Sequence, residues 1–213
     1  MLHYELSPPT ESTPESLIIV LHGLGDSIEG YRWLAPALQL PWLRSALVNA
    51  PDDYFGGFSW YDFQGDVGSG VVRSRNLLFE LLGHFQTKGF APENTFLFGF
   101  SQGCLMTWDV GIRYPKRLAG CIGISGYIHQ SETLYQERSE AAMQQHFLVT
   151  HGLHDPLIPF SPVKEDVMKL ATLGLQIQWQ AFAKEHTIAG TDEVAVIRDF
   201  IVKRREALPT REP

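Results

Sequence analysis

Thr95-Phe96-Leu97-Phe98-Gly99-Phe100-Ser101-Gln102-Gly103-Cys104-Leu105-Met106-Thr107-Trp108-Asp109-Val110 decides the reading of this chain. An apolar run leads into Gly99-Phe100-Ser101-Gln102-Gly103, a G-x-S-x-G motif, and a helix-spaced segment, Gln102–Tyr114, leads out and stops before Pro115. A strand that turns sharply into a helix at a serine lifts the hydroxyl clear of the sheet. It also sets that hydroxyl among the unpaired N–H groups of a helix N-terminus, where developing negative charge is favoured. Side chains at the two glycine positions would collide with the crossing strand and helix. A glycine turn whose serine only caps the helix would look the same over five letters; the strand before it and the helix after it are what point to a nucleophile.

Outward from that stretch, short apolar runs alternate with helical patterns. Leu17–Leu21, Ser45–Asn49, Leu118–Ile124 and Phe147–Thr150 read as buried strands, Leu175–Phe182 as a strand nearer an edge, and the residues before Ser7 as a short first strand. Helical spacing covers Gly30–Leu38, Val71–Gln86, Pro162–Thr172 and Asp192–Glu206, with a further helix around Glu132–Gln144. Ser7–Ser16, rich in Pro, Ser, Thr and Glu, reads as a connecting loop, and Leu208–Pro213 as a polar, frayed tail. The alternation predicts an α/β chain with a mostly parallel central sheet flanked by helices. Ligands of such sheets sit in loops at the carboxyl ends of the strands.

The 213 residues fit a single domain, 1–213. Hydrophobic residues at 44% and charged residues at 19% exclude a disordered chain. A net charge of −7 repels phosphate backbones, so nucleic acid is not an expected partner. The 2 cysteines, Cys104 and Cys121, lie in apolar runs and read as buried small hydrophobes, with one bridge between them left open. No apolar run is long enough to cross a bilayer and the N-terminus has no signal-like pattern, so the expectation is a cytoplasmic protein without integral membrane association.

A serine hydroxyl becomes a strong nucleophile when a histidine takes its proton and a carboxylate orients that histidine. In sheets of this type the acid and then the base follow the nucleophile along the chain. His151-Gly152-Leu153-His154-Asp155-Pro156-Leu157-Ile158-Pro159 puts Asp155 just past a strand end, and Lys184-Glu185-His186-Thr187-Ile188 puts His186 in the loop before the last helix. His151 and His154 share the loop of Asp155, whereas the base has to reach in from a separate one. Their spacing is not the helical pair of a zinc protease, so no metal is expected. His3, His84, His129 and His146 read as solvent-facing or structural, and Asp166, Asp192 and Asp199 fall in or beside helices.

Two further segments bear on the site. His22-Gly23-Leu24-Gly25-Asp26 follows the first core strand; its glycines allow close backbone approach, and the N–H groups of Leu24 and Gln102 are assigned as oxyanion donors. His22 reads as a support for this loop rather than a base. Pro51–Phe63 is dense in aromatics, among them Phe58, Trp60 and Tyr61. For any one of them local packing is the default; as a group they read equally as packing or as a pocket wall, with Trp60 the favoured substrate contact and Phe58 beside it.

These residues resemble the phospholipase/carboxylesterase family of small α/β-hydrolases, which includes the acyl-protein thioesterases. The resemblance rests on Leu21-His22-Gly23-Leu24-Gly25-Asp26, Ser59-Trp60-Tyr61-Asp62, the Ser101 motif, Tyr114-Pro115-Lys116-Arg117-Leu118-Ala119-Gly120, Ser125-Gly126-Tyr127, the Asp155 loop and His186. It implies an α/β-hydrolase fold with a minimal lid, a triad of Ser101, Asp155 and His186, and Leu24 and Gln102 as oxyanion donors. It also implies Trp60 and Leu157 flanking the acyl or alcohol pocket, and no cofactor or metal. The implied activity is that of a serine carboxylesterase. The alternatives are an acyl-protein thioesterase or lysophospholipase and, outside catalysis, an inactive binding protein on the same fold. The implied partner is a small-molecule or lipid ester or an acylated protein, and the aromatic loop would serve a homodimer interface equally well. Two departures stand out. The family's glycines before the histidine are replaced by Ala183-Lys184-Glu185, which is expected to put charge near the mouth, and the stretch after Asp62 is shorter than in the thioesterases.

Overall fold

A computed structural model of the chain describes residues 1–8 and 16–207. Along it run β1 (Tyr4–Leu6), β2 (Ser16–Leu21), a 3-10 turn at Ile28–Tyr31, α1 (Leu34–Leu38), β3 (Leu43–Val48), β4 (Asp52–Tyr54), β5 (Gly57–Ser59) and α2 (Val67–Thr87). They are followed by β6 (Thr95–Phe100), α3 (Gln102–Arg113), β7 (Gly120–Ile124), α4 (Ser131–Gln136), a 3-10 turn at Glu140–Gln144, β8 (His146–Gly152), α5 (Phe160–Thr172), β9 (Gln176–Phe182) and α6 (Gly190–Glu206). Most of the expected Ser7–Ser16 loop and all of the Leu208–Pro213 tail lie outside the described residues.

The main sheet has 7 strands in the order β1-β3-β2-β6-β7-β8-β9. Neighbours run parallel throughout, except that β1 is antiparallel to β3. Side chains alternate across a strand, and β2 shows the consequence. Leu17, Ile19 and Leu21 pack into one apolar cluster with Leu81 of α2, Trp108 of α3 and Val167 of α5. Ile18 and Val20 face the other way, onto Leu34 of α1 and Ile197 of α6. Burying each such side chain contributes roughly 1.5–3 kcal/mol. Because both faces are covered, the central strands are continuous apolar runs instead of alternating ones.

This topology places the site. From β2 the chain goes to β3 on one side and then crosses to β6 on the other, so the strand order reverses between β2 and β6. Loops diverge at such a switch point and leave a crevice at the carboxyl ends of the strands. The loop after β2 carries Leu24 and the turn after β6 carries Ser101.

The structure departs from the sequence expectations in three connecting regions. The Gly30–Leu38 helix is a 3-10 turn capped by Ser27 followed by the short α1, which stops where Gln39 takes a left-handed conformation (φ 52). The Glu132–Gln144 helix is two pieces, because Ser139 is extended between them and donates its N–H to Ile112 O. The aromatic stretch Pro51–Phe63, expected as a loop, contains the β4–β5 hairpin, whose register is Asp52 to Ser59, Asp53 to Phe58 and Tyr54 to Gly57.

Candidate active site

The turn at Ser101 is built by backbone sterics. Ser101 has φ 53 and ψ −114, a conformation that costs a non-glycine residue about 1–3 kcal/mol. A Cβ on Gly99 would lie 2.0 Å from Gly103 O, and one on Gly103 would lie 2.2 Å from Leu21 O. Only glycine lets β6 and α3 cross so closely. The strained turn is held by the Ser101 N–H donating to Ile124 O at 2.9 Å. The Ser101 side chain makes no helix-capping bond, so the bland reading of this serine as a cap fails.

The hydroxyl bonds to His186 instead. Ser101 Oγ lies 3.0 Å from His186 Nε2, and His186 Nδ1 lies 2.8 Å from Asp155 Oδ2. These three residues come from the ends of β6, β8 and β9 and are joined only in the folded chain. The second oxygen of Asp155 accepts the N–H groups of Leu157 and Ile158, each at 2.9 Å. Burial by itself would raise the Asp155 carboxyl. The hydrogen bonds from the Ile158 N–H, His186 and the Leu157 N–H outweigh it and hold the group below the usual carboxylate value. An ionised Asp155 fixes the proton of His186 on Nδ1 and leaves Nε2 free to accept the proton of Ser101.

Gln102 opens α3, where the first N–H groups of a helix have no intrahelical partner. Among the described residues no acceptor engages the N–H of Gln102 or that of Leu24. The Leu24 loop is braced from two sides. The Gly25 N–H donates to Phe58 O and the Phe58 N–H to Asp26 O, both at 2.9 Å, so β5 pins the loop. Below it, the Ala50 N–H donates to His22 Nε2 at 3.0 Å, which leaves Nδ1 to donate to Gly23 O at 2.6 Å. Burial lowers the His22 pKa, with the Gly23 bond opposing, and a neutral ring is what this pair of bonds requires. His22 therefore supports the loop, as expected from the sequence.

Of the residues expected to touch substrate, Trp60 is corrected. It is fully buried (0% exposed), and its indole N–H donates to His22 O at 2.9 Å. Its backbone N–H donates to Gln102 Oε1 at 2.9 Å, and its carbonyl accepts the Ser74 hydroxyl. Trp60 is a strut between the Leu24 loop and α2, with no face left for a ligand. Phe58 is half-buried beside His22, and Leu157 is 70% exposed on the acid loop.

His151 is buried, with its Nε2 2.9 Å from Ile158 O, so it fastens the acid loop. Among the described residues no cluster of His, Cys, Asp or Glu is arranged to hold a metal ion. Cys104 and Cys121 are buried and free, and the bridge left open by the sequence is not formed. Burial pushes the Cys104 thiol up to about 12, which makes it inert despite its place beside the elbow. No helix among the described residues is long and apolar enough to cross a membrane.

Residues 7–204 match the family described as Phospholipase/Carboxylesterase. The chain belongs to this family of α/β-hydrolases. Acyl-protein thioesterase 1 of Schizosaccharomyces pombe is 30% identical over 155 residues, which cover 67% of this chain and 69% of that one. The crystal structure of esterase PE8 superposes with a TM-score of 0.85 at 28% identity, covering 97% of this chain and 99% of that chain. A relative from Oryza sativa subsp. japonica described as a probable inactive carboxylesterase is 24% identical over 196 residues, covering 83% of this chain and 80% of its own. The chain is accordingly a hydrolase of this family.

Sequence reading missed two supports of this hydrolase's site. The Gln102 side chain is buried and spans the gap to the aromatic segment, its amide donating to Tyr61 O at 3.0 Å while its oxygen takes the Trp60 N–H. The second is at the departure before His186, where Glu185 is exposed as a charge beside His186 and only Lys184 departs from the expected charge at the mouth. Lys184 points inward: its side chain is 3% exposed and that of Glu193 is 0% exposed. Lys184 Nζ meets the two Glu193 oxygens at 2.5 and 2.7 Å, and Glu193 also accepts the Thr150 hydroxyl and the Ala189 N–H, each at 2.5 Å. Burial pushes the Lys184 ammonium below the usual lysine value even against the attraction of Glu193. The pair brackets His186, tying both ends of its loop to β8 and α6. The signal in sequence was an inconspicuous Lys and Glu nine positions apart.

Proposed function

We propose that this hydrolase is a serine carboxylesterase in which Ser101 is the nucleophile, His186 the general base and acid, and Asp155 the group that orients His186. The observation that carries the reading is the unbroken hydrogen-bond chain Ser101–His186–Asp155 on a serine that does no capping. As Ser101 Oγ attacks the ester carbonyl, its proton passes to His186 Nε2 and the carbonyl oxygen turns towards the N–H groups of Leu24 and Gln102. His186 then protonates the leaving alcohol; in the second half it takes a proton from water as the water oxygen bonds to the acyl carbon, and returns that proton to Ser101 Oγ as the acyl–Oγ bond breaks and the acid leaves. Losing one oxyanion donor in such sites costs about 10²–10³ in rate. The single sheet running from β1 to β9 supports reading residues 1–213 as one domain.

Phe58 and Leu157 are retained as substrate contacts; Trp60 is not. The second reading, an acyl-protein thioesterase or lysophospholipase, is favoured by the thioesterase relatives and uses the same triad on a thioester or a lipid ester. Turnover of short esters, long-chain thioesters and lysophosphatidylcholine by the same preparation separates the two. The rice relative described as inactive shows why family membership is not enough to make this case and the triad geometry is needed. The deciding experiment is Ser101→Ala. It is expected to lower kcat/KM for p-nitrophenyl acetate by about 10⁴–10⁶ and to abolish labelling by a fluorophosphonate in the folded protein. Wild-type turnover in that variant would overturn the assignment.

A further inference from the structure

A groove of about 900 Å³ runs beside the triad, and Asp26 of the Leu24 loop, which pairs with Phe58, forms part of its lining. It is walled by His186 and Phe100 but by none of Phe58, Trp60 or Leu157, the residues the sequence singled out for substrate. One wall is a single face of α6: Gly190, Val194, Ala195 and Arg198 recur at helical spacing, so the groove follows that helix for about 12 Å from the His186 loop. The opposite wall comes from the Ile28–Tyr31 turn and α1, with Tyr31, Trp33 and Ala37. Its walls are mainly apolar along Phe100, Ile188, Val194 and Ala195, with charge at Asp26 on the Leu24 loop and at Arg198 and Asp199 midway along α6.

We propose that this groove holds the leaving group of the substrate, and that the leaving group is a bulky, largely apolar alcohol. The proposal rests on the triad reading above and extends it. The argument is one of proton delivery. In the acylation step the bond from Ser101 Oγ to the acyl carbon forms and the bond from that carbon to the alkoxy oxygen breaks. The proton that His186 Nε2 took from Ser101 goes to the departing oxygen. The leaving oxygen must therefore sit within hydrogen-bonding reach of His186, and whatever is attached to it continues along the surface that His186 borders. The carbonyl oxygen is assigned to Leu24 and Gln102, and neither Phe58 nor Leu157 borders the groove. Of the surface that His186 borders, the groove along α6 is the open apolar part, and it is long enough for a fused ring pair on a short linker.

The test holds the acid constant and varies the alcohol. Ethyl acetate and naphthylethyl acetate both release acetate from alkoxides of similar basicity, and pH-stat titration reads both. The wild-type enzyme is expected to favour the naphthylethyl ester in kcat/KM by at least about tenfold, the equivalent of burying part of one aromatic ring. Ala195, exposed on α6, accepts a large side chain without entering the core, so Ala195→Trp fills the groove; it is expected to reduce that preference by about tenfold. Trp33→Ala, which removes part of the opposite wall, is expected to reduce it too. Equal turnover of the two esters by the wild type, or an unchanged preference in both variants, would overturn the proposal. Failure of the underlying reading looks different: Ser101→Ala would then still hydrolyse ethyl acetate.

Discussion

The turn that carries Ser101 and the loop that carries His186 solve the same problem, holding one side chain at a fixed point, by different means. At the elbow the constraint is backbone against backbone. Gly99 and Gly103 are present because any Cβ would meet a carbonyl oxygen near 2 Å (2.0 and 2.2 Å), and the strain at Ser101 is locked in by β6 and α3 on either side. At the His186 loop the constraint is electrostatic and comes from outside. Lys184 and Glu193 close the loop across a buried ion pair, and Asp155 fixes the ring from another strand. The first device is written in contiguous residues and tolerates no side chain. The second is assembled from distant residues and depends on charge.

The largest separation between the two should come from breaking the ion pair on one side. Lys184→Met leaves Glu193 buried and uncompensated, which costs about 3–5 kcal/mol; urea denaturation is expected to show that loss. The double variant Lys184→Met with Glu193→Gln removes both charges and is expected to recover most of the stability while kcat remains low, because the ion pair that ties the His186 loop to α6 is gone. Full recovery of kcat in the double variant would show that the pair serves stability alone. Next in size is Gly103→Ala at the elbow. Its Cβ has no flexible neighbour to push aside, so a loss of about 1–3 kcal/mol in urea denaturation is expected, together with slower fluorophosphonate labelling of Ser101. No second substitution elsewhere should restore it in the way Glu193→Gln does for the clamp.

The smallest effect is the pH response of the acid loop. The folded-state pKa of Asp155 lies below its ordinary value. Its stabilising contribution is therefore complete above the unfolded value of about 3.9 and is lost as pH falls through the lower folded value. The stability difference between the wild type and Asp155→Asn is expected to be constant from pH 7 to about 5 and to shrink steadily below about 4. A difference that did not change with pH would mean that the carboxylate charge contributes nothing to the fold.

The elbow was legible because strand, glycines, serine and helix are adjacent, and their sterics can be read without knowing what lies elsewhere. Asp155 and His186 were legible as candidates because a parallel sheet delivers its functional loops in chain order at the carboxyl ends of its strands. Trp60 shows where reading stopped. An aromatic in a loop is equally a pocket wall or a strut, and only the direction of its indole N–H, towards His22 O, separates the two. The β4–β5 hairpin escaped notice because strands this short leave no periodic trace; what makes them strands is their pairing and the bridge from Phe58 to Asp26. Lys184 was misplaced because a lysine beside a catalytic loop defaults to solvent unless its partner is known.

By itself, then, the sequence determined the sheet type, the strand-turn-helix geometry at Ser101 and the loops that carry the candidate acid and base, since these follow from apolar patterning and from what a backbone can adopt. The tertiary structure alone decided which side chains face inward, what braces the Leu24 loop, how His186 is held and where the open groove lies. Those depend on pairings between residues far apart in the chain, and the direction of a buried polar group is set by a partner that local sequence does not contain.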